Sequence, residues 1–333
     1  MFTRPTGLSD TDVAAALGAG WELNVDAISY ADVGFGSHHW RVEAAGSNWF
    51  VTVDDLDAKR MRRDEPLDVP LARLTSALTT AHALRSAGLG FVVAPIPTLA
   101  GAIVRRIDVQ YAVALYPHVE GTSHPWGPYP TSAERTAVVD LLTALHRAPP
   151  SACASTLVDD LAIASRDDLT AGLAEHHEPW DRGPFGEPAR LLLQQHADAV
   201  RRALERYDAV ATRVARRSDR WVLTHGEPHR GNTIITASGT VLIDWDTTLI
   251  APPERDLWSL VGEDGAVAEQ YAGATGVTPD RDALELYTLR WELTDISIFV
   301  GEFRRPHGDT EDARAAWTSL QTYLDPTRWE LHD

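Results

Sequence analysis

Hydrophobic and polar positions along the 333-residue chain change rhythm about a third of the way in. The first third alternates, or runs in short β-branched blocks: residues 21–30 alternate, 40–44 follow a glycine turn, and 49–53 are compact and apolar, all signs of strands. After a charged segment, Asp68 and Pro70 open a helix that reaches about Ala87, where Gly88 stops it. Residues 91–95, 102–107 and 111–116 read as further strands, and a turn-rich stretch closes this part near Glu120. Beyond it the period becomes helical. Residues 131–147 carry Val138, Leu141, Leu142 and Leu145, residues 188–217 are long, arginine-rich and amphipathic, and residues 281–304 set Leu286, Leu289, Leu293, Ile296, Val300 and Phe303 on one face. A strand–loop–strand island, residues 221–253, interrupts the helices. The pattern predicts an α+β chain with a β-rich lobe over residues 1–119 and a larger helical lobe over 120–333.

Charge narrows the chemistry. The chain has 30 basic and 48 acidic residues, a net charge of −18, and one lysine, Lys59; the other 29 basic residues are arginines. Lys59 sits in Ala58-Lys59-Arg60, so no Walker A Gly-Lys-Ser/Thr is available, and Schiff-base chemistry would rest on that same residue. The acidic balance excludes nucleic acid and an anionic membrane surface as main partners and leaves room for a cationic small molecule. Cys153 is alone, so it forms no internal disulfide. No apolar run approaches a membrane span, and the first ten residues show no secretory pattern; the expectation is a cytoplasmic protein.

The chemistry concentrates in the island. Residues 222–232 read Val-Leu-Thr-His-Gly-Glu-Pro-His-Arg-Gly-Asn, and 241–246 read Val-Leu-Ile-Asp-Trp-Asp. An apolar strand running into Asp244, with Asp246 two positions on, aims carboxylates from a rigid edge, and a carboxylate with an amide oxygen suits Mg²⁺. Glu227, five residues before Asn232, is placed to take a proton from an attacking hydroxyl. Base, metal amide and metal carboxylate together are what phosphoryl transfer requires. Blander readings stand beside this one. Asp246 can be a turn or cap residue, His225 reads as a structural hydrogen-bonding histidine, and the His225/His229 spacing of helical zinc sites is undercut by Gly226, Pro228 and Gly231.

The order and spacing of these residues resemble the aminoglycoside phosphotransferase family of small-molecule kinases, whose pattern is His-Gly-Asp, a short loop to Asn, then Ile-Asp-Trp/Phe-Asp/Glu. Here the pattern appears as His225-Gly226-Glu227, Asn232 and Ile243-Asp244-Trp245-Asp246, followed by a similar Pro253-Glu254-Arg255-Asp256-Leu257. The resemblance implies a two-lobed protein-kinase-like fold, ATP or GTP as donor, and Mg²⁺. It implies Glu227 as catalytic base, Asn232 and Asp244 as metal ligands, and Asp246 as an auxiliary one. It implies nucleotide contacts at Gly34, Gly36 and Ser37 in a loop over the phosphates. It also implies contacts at Thr52 on the phosphate strand, and at Pro117 (carbonyl) and Val119 (N–H) in the hinge. A plain hairpin turn remains the alternative for the two glycines.

Three departures from the family pattern stand out. Thr52 occupies the place of the strand lysine, residues 69–87 contain no acidic partner for one, and Glu227 replaces the usual aspartate. The extra methylene moves a carboxylate by about 1 Å, a misplacement that can cost on the order of 10²-fold in rate. Lys59, Arg60, Arg62 and Arg63 follow the strand, either reaching for phosphate or forming a solvated charged loop. On the acceptor side Glu285, Glu292, Asp295 and Glu302 fall within about 100° on one helix, either as an outward solvated face or as a stripe for a cationic acceptor, with Glu292 and Asp295 the candidates. Trp126, Tyr129 and Trp180 either line a sugar pocket or pack. The expectation is an NTP- and Mg²⁺-dependent O-phosphotransferase for an aminoglycoside, aminocyclitol or amino sugar. The alternative is a pseudokinase-like nucleotide-binding or regulatory protein.

Overall fold

Side-chain alternation along the early strands builds a sheet with one face on a helix. In the computed structural model, which describes residues 1–325 apart from 35, 176 and 263, β1 (Val25–Ala31), β2 (His38–Ala44) and β3 (Ser47–Asp55) form an antiparallel meander. β4 (Arg105–Arg106) and β5 (Tyr111–Pro117) complete the order β1-β2-β3-β5-β4. Trp40, Val42, Val51, Val53, Val113 and Leu115 bury one face against Val13 and Leu17 of α1 (Asp10–Trp21). That helix corrects the strand reading of this region: Trp21 closes α1, and β1 starts only at Val25. Its signal was local, a capping box in which Ser9 Oγ accepts from Asp12 N and the Asp12 carboxylate accepts from Ser9 N.

α2 (Asp68–Ser86) forms where the Asp/Pro start and Gly88 stop predicted it, and it packs Leu74, Leu78, Ala81 and Leu84 with Ala112 and Ala114 of β5. Of residues 91–95, Val92 alone makes a bridge, to Leu242, because Pro95 and Pro97 remove ladder donors.

The rest of the chain is mainly helical: α3 (Ser132–His146), α4 (Arg166–Ala174), α5 (Gly186–Ala215), the short α6 (Glu254–Leu257), α7 (Ala266–Thr275), α8 (Arg281–Phe303) and α9 (Glu311–Tyr323). α5 and α8 bury Leu193, Val200 and Tyr207 against Leu286, Leu289, Leu293 and Ile296, with Leu169 and Leu173 of α4 in the same core. No described helix is long and apolar enough to cross a membrane.

The island folds into two small sheets. β6 (Thr122–Ser123) pairs with β8 (Thr233–Thr236), which forms a hairpin with β9 (Gly239–Leu242); β7 (Val222–Thr224) pairs with β10 (Leu249–Ala251). Leu242, Trp245 and Leu257 share a core with Val138, Leu142 and Leu145 of α3 and with the α2–β5 layer. The island is therefore anchored to both halves of the chain.

The connection from β5 into β6 passes tightly over β8. A Cβ on Gly121 would lie 2.5 Å from Ile234 Cγ2 and 2.6 Å from Ile235 O, and a backbone carbonyl cannot swing aside as a side-chain end can. Gly121→Ala is expected to lower unfolding stability by about 1–3 kcal/mol. Chemical denaturation checks this; an unchanged midpoint would mean that the crossing relaxes freely.

Candidate active site

β7 delivers the chain into a loop whose backbone is held by one carboxylate. Asp256 of α6 accepts from His225 N at 2.8 Å, from Gly226 N at 2.6 Å and from His146 Nε2 at 3.1 Å. Burial alone would raise its carboxyl, but the His146 hydrogen bond, with the charge of Arg255 adding to it, holds it below the usual range. Gly226 has φ +104°, and a Cβ there would strike the guanidinium of Arg255, which bonds Thr224 Oγ1 and Thr247 O. His225 donates from Nε2 to Ile243 O and accepts Glu227 N at Nδ1, so it is a neutral, fixed histidine. Burial lowers its basicity accordingly. Both ring nitrogens are spent on backbone groups, the hydrogen-bonding arrangement expected of a structural histidine.

A single 3₁₀ turn, Arg230–Asn232, ends the loop. Tyr129 OH donates to Pro228 O at 2.9 Å, which makes Tyr129 a brace for the loop rather than a pocket wall. Asn232 Nδ2 donates to Glu227 O at 3.0 Å and meets His229 Nε2 at 3.3 Å. Both amide hydrogens are thus engaged, and the carbonyl oxygen is what Asn232 offers to a cation.

β9 leads into the acidic pair. Trp245 is fully buried, and its indole donates to Leu242 O, which locks the turn between Asp244 and Asp246. Asp244 sits at φ +64°, a left-handed conformation that aspartate tolerates at a cost. Protein encloses its carboxylate although solvent still reaches it. That enclosure, then Asp246 and Glu227, holds the group well above the ordinary carboxylate range. Glu227 is half-open to the cleft; enclosure, then the charge of Asp246, pushes it up to about 7. His229 lies 3.9 Å from it, lowered to about 4 by burial and therefore neutral, so no ion pair offsets Glu227 there.

The positive charge in this cleft is Lys59. Its Nζ lies 2.6 Å from Asp246 Oδ2 and 3.1 Å from Asp54 Oδ1. Enclosure opposes its charge, but Asp246 and Asp54 outweigh that and hold the ammonium well above its usual value. The solvated-loop reading fails for Lys59. It holds for the neighbours, since Arg62 pairs with Asp64, Arg60 with Asp57, and Arg63 with Asp168.

Among the predicted nucleotide positions, Gly34 and Gly36 take φ +71° and +87°, the left-handed turns of a loop between β1 and β2; Phe35 between them lies outside the described residues. Ser37 Oγ donates to Asp54 at 2.6 Å. Thr52 pairs with His39 and Ala114 in mid-sheet. Pro117 ends β5 opposite Trp49, and Val119 follows in the link to β6.

On the acceptor side the helix reading divides. Glu285 turns outward to Arg206 of α5, whereas Glu292 is buried and Asp295 lies close enough to raise Glu227; Asp295 is itself pushed up to about 6 by burial. Trp126 is exposed and stacks on Trp291 at 6.4 Å with 15° between planes, and it meets His229 edge-on at 6.3 Å. Trp180 packs in the core beneath Arg304. Sequence reasoning passed over Asp54 and Trp291 and read Asp256 only as part of the segment after the acidic turn. Asp54 was readable by alternation, since it shares a strand face with Thr52.

A small antiparallel sheet joined to a helical body, with catalytic-loop and acidic-turn residues at their junction, defines a protein-kinase-like fold. Solved structures agree: spectinomycin phosphotransferase with ADP and spectinomycin superposes with a TM-score of 0.73 at 15% identity, covering 96% of this chain and 95% of that one. A microcompartment-associated aminopropanol kinase gives 0.58 at 17% identity, over 97% and 98%. Protein StrN of Streptomyces griseus is 31% identical over 255 residues, 74% of this chain and 75% of its own. The profile of the phosphotransferase enzyme family matches residues 41–287, and the chain belongs to that family.

Because the Asp256 carboxyl lies below its unfolded value, its contribution to stability is full above about pH 4 and fades as pH falls through the lowered folded value. Asp256→Ala, which strands two buried N–H groups and His146, is expected to cost about 3–5 kcal/mol at neutral pH. The variant's deficit should shrink on acidification, as read by denaturant titrations at several pH values. A deficit independent of pH would assign the loss to packing instead.

Proposed function

We propose that the protein transfers the γ-phosphoryl group of ATP or GTP, with Mg²⁺, to a hydroxyl of a small cationic polyhydroxylated molecule, an aminoglycoside, aminocyclitol or amino sugar. One observation carries the proposal: the Glu227 loop, the Asp244–Asp246 turn and Asp295 of α8 are gathered closely enough for Asp246 and Asp295 to act on the Glu227 carboxylate, while Lys59 pairs with Asp246 at 2.6 Å. A base needed at the junction of donor and acceptor belongs there.

The residues fit Mg²⁺. Asp244 and Asp246 stand two positions apart on one turn, and the ammonium that reaches them, Lys59 Nζ, lies 2.6 Å from Asp246 Oδ2, so two carboxylates meet one positive charge. Asn232 adds a carbonyl oxygen, giving the hard-oxygen set that Mg²⁺ takes while it keeps waters and substrate oxygens. When bound, the ion would neutralise charge on the transferring phosphates.

Glu227 receives the proton of the acceptor hydroxyl as that oxygen bonds to the γ-phosphorus and the bridging oxygen leaves with the nucleoside diphosphate. A carboxylate pushed up to about 7 is a stronger base than an ordinary one. The Trp126–Trp291 pair offers a flat apolar face beside this position, and Asp295 and Glu292 supply negative charge for an amine. The spectinomycin phosphotransferase and aminopropanol kinase relatives are named for amine-bearing acceptors, which favours the cationic class. A pseudokinase has less support, because a cation does reach the cleft in place of the strand lysine.

Glu227→Ala is expected to lower phosphoryl transfer by about 10²–10⁴-fold while ATP or GTP still raises its melting temperature in a Mg²⁺-dependent way. Asp244→Ala should lose both. Transfer assays over a panel of amino sugars, paired with thermal shifts, check this. Equal loss of nucleotide binding in the two variants would reverse the role assignment, and a wild type that no Mg-nucleotide stabilises would remove the kinase reading.

A further inference from the structure

The strand that carries Thr52 offers no cation, and α2 carries no acid beyond Asp68, which is turned to Arg106. The chain's one lysine nevertheless arrives in the cleft from the turn after β3. Four basic residues follow that strand within five positions, and three are committed elsewhere: Arg60 to Asp57 and Arg63 O, Arg62 to Asp64, and Arg63 to Asp168. Lys59 alone points inward, to Asp54 and Asp246.

Its placement is built rather than incidental. Lys59 N bonds Asp55 O at 3.1 Å, closing the turn onto the strand end. Lys59 O accepts from Arg73 Nη2 of α2 at 2.9 Å. Arg73 also grips Glu65 through two nitrogens, at 3.1 and 2.8 Å, and Glu65 accepts from Met61 N at 3.1 Å. α2 thus holds the turn from both ends with a guanidinium. Asp54, buried at the end of β3, accepts Lys59 Nζ and also Ser37 Oγ at the end of the glycine loop. A single carboxylate joins the glycine loop, the strand and the ammonium.

We propose that Lys59 is the phosphate-holding cation of the nucleotide site, delivered from the turn after β3, with Asp54 as its anchoring carboxylate and Arg73 of α2 as its positioning residue. This rests on the phosphotransferase reading above. In the ligand-free protein the ammonium lies on Asp246. A triphosphate bound with a metal ion would offer Lys59 negative oxygens in place of Asp246, whose carboxylate would then be available to hold the ion. The ammonium stays tethered through Asp54 while its second partner changes. The ordinary order of the fold is inverted here: the helix supplies a cation to hold the lysine's backbone, and the strand supplies the acid to hold its side chain.

Calorimetric titration with Mg-ATP and Mg-GTP separates this from a purely structural clamp. Lys59→Met is expected to weaken triphosphate affinity at least about ten-fold, with Lys59→Arg recovering part of it. Arg73→Met should weaken it by a smaller factor, and Arg73→Lys, which keeps a donor for Lys59 O, should restore most of it. If Lys59 only neutralises Asp246, Lys59→Met leaves affinity unchanged or tightens it, and the proposal falls. Unchanged affinity in Arg73→Met would overturn the positioning role. A measurement on the unaltered chain needs no variant to fold: with ¹³C-lysine labelling the protein yields one lysine side-chain signal set, which should shift as Mg-ATP or Mg-GTP saturates. A signal that stays put at saturation overturns the proposal. A wild type that binds neither triphosphate defeats the phosphotransferase reading itself, whereas wild-type binding with no effect of Lys59→Met defeats this inference alone.

Discussion

Asp256 has no access to water, and much of the candidate site hangs from it. Its two oxygens take the N–H groups of His225 and Gly226, and the imidazole of His146 adds a third bond from α3. Those bonds set where β7 ends and how the loop turns. The turn fixes the His225 ring, whose Nε2 then reaches across to Ile243 O and sets the entry to the acidic turn. One buried carboxylate therefore registers the Glu227 loop against the Asp244–Asp246 turn, though it touches neither Glu227 nor Asp244 by any of these bonds. In a low-dielectric interior a fully satisfied network of this kind rigidifies, and a half-satisfied one would cost heavily. Arg255 on the neighbouring position binds both sides of the loop as well, so α6, only four residues long, works as a bracket.

The second constraint is charge balance. Asp54, Glu227, Asp244, Asp246 and Asp295 face the space between the two halves of the chain, and a single ammonium enters it. Such a space is short of positive charge until something cationic arrives. Under the function proposed above, a divalent ion would meet one part of that demand and an amine-bearing acceptor another. The −18 net charge of the whole chain says much less, since most of those carboxylates lie on solvated surface or pair with arginines.

The island was legible because its residues stand in order within two short runs. Glu227, Asn232, Asp244 and Asp246 stand close in sequence, and a loop and a hairpin suffice to gather them. The long helices were legible too, because α2, α3, α5 and α8 carry their period in many residues. Lys59 was not, because the contact that draws it inward joins it to Asp246, far along the chain, and its own neighbourhood of alternating charges looks like a solvated loop. Asp256 was visible as part of a familiar segment, but two of its three bonds are to backbone groups, which leave no trace in residue identity. α1 was missed because Ala and Gly fill half of it and dilute the helical spacing of Val13, Leu17 and Trp21, and because Trp21 was read into the strand that follows; the Ser9–Asp12 cap marked its start.

The chain has a single ε-amine, and it is lodged between Asp54 and Asp246. Apart from the terminal amine, any active ester, aldehyde or acyl donor that seeks lysine meets the cleft and nothing else. The other 29 basic residues are arginines, whose guanidiniums stay inert toward such reagents. Amine coupling, which on most proteins decorates the surface at random, acts here as a chemical gauge of whether the cleft is open.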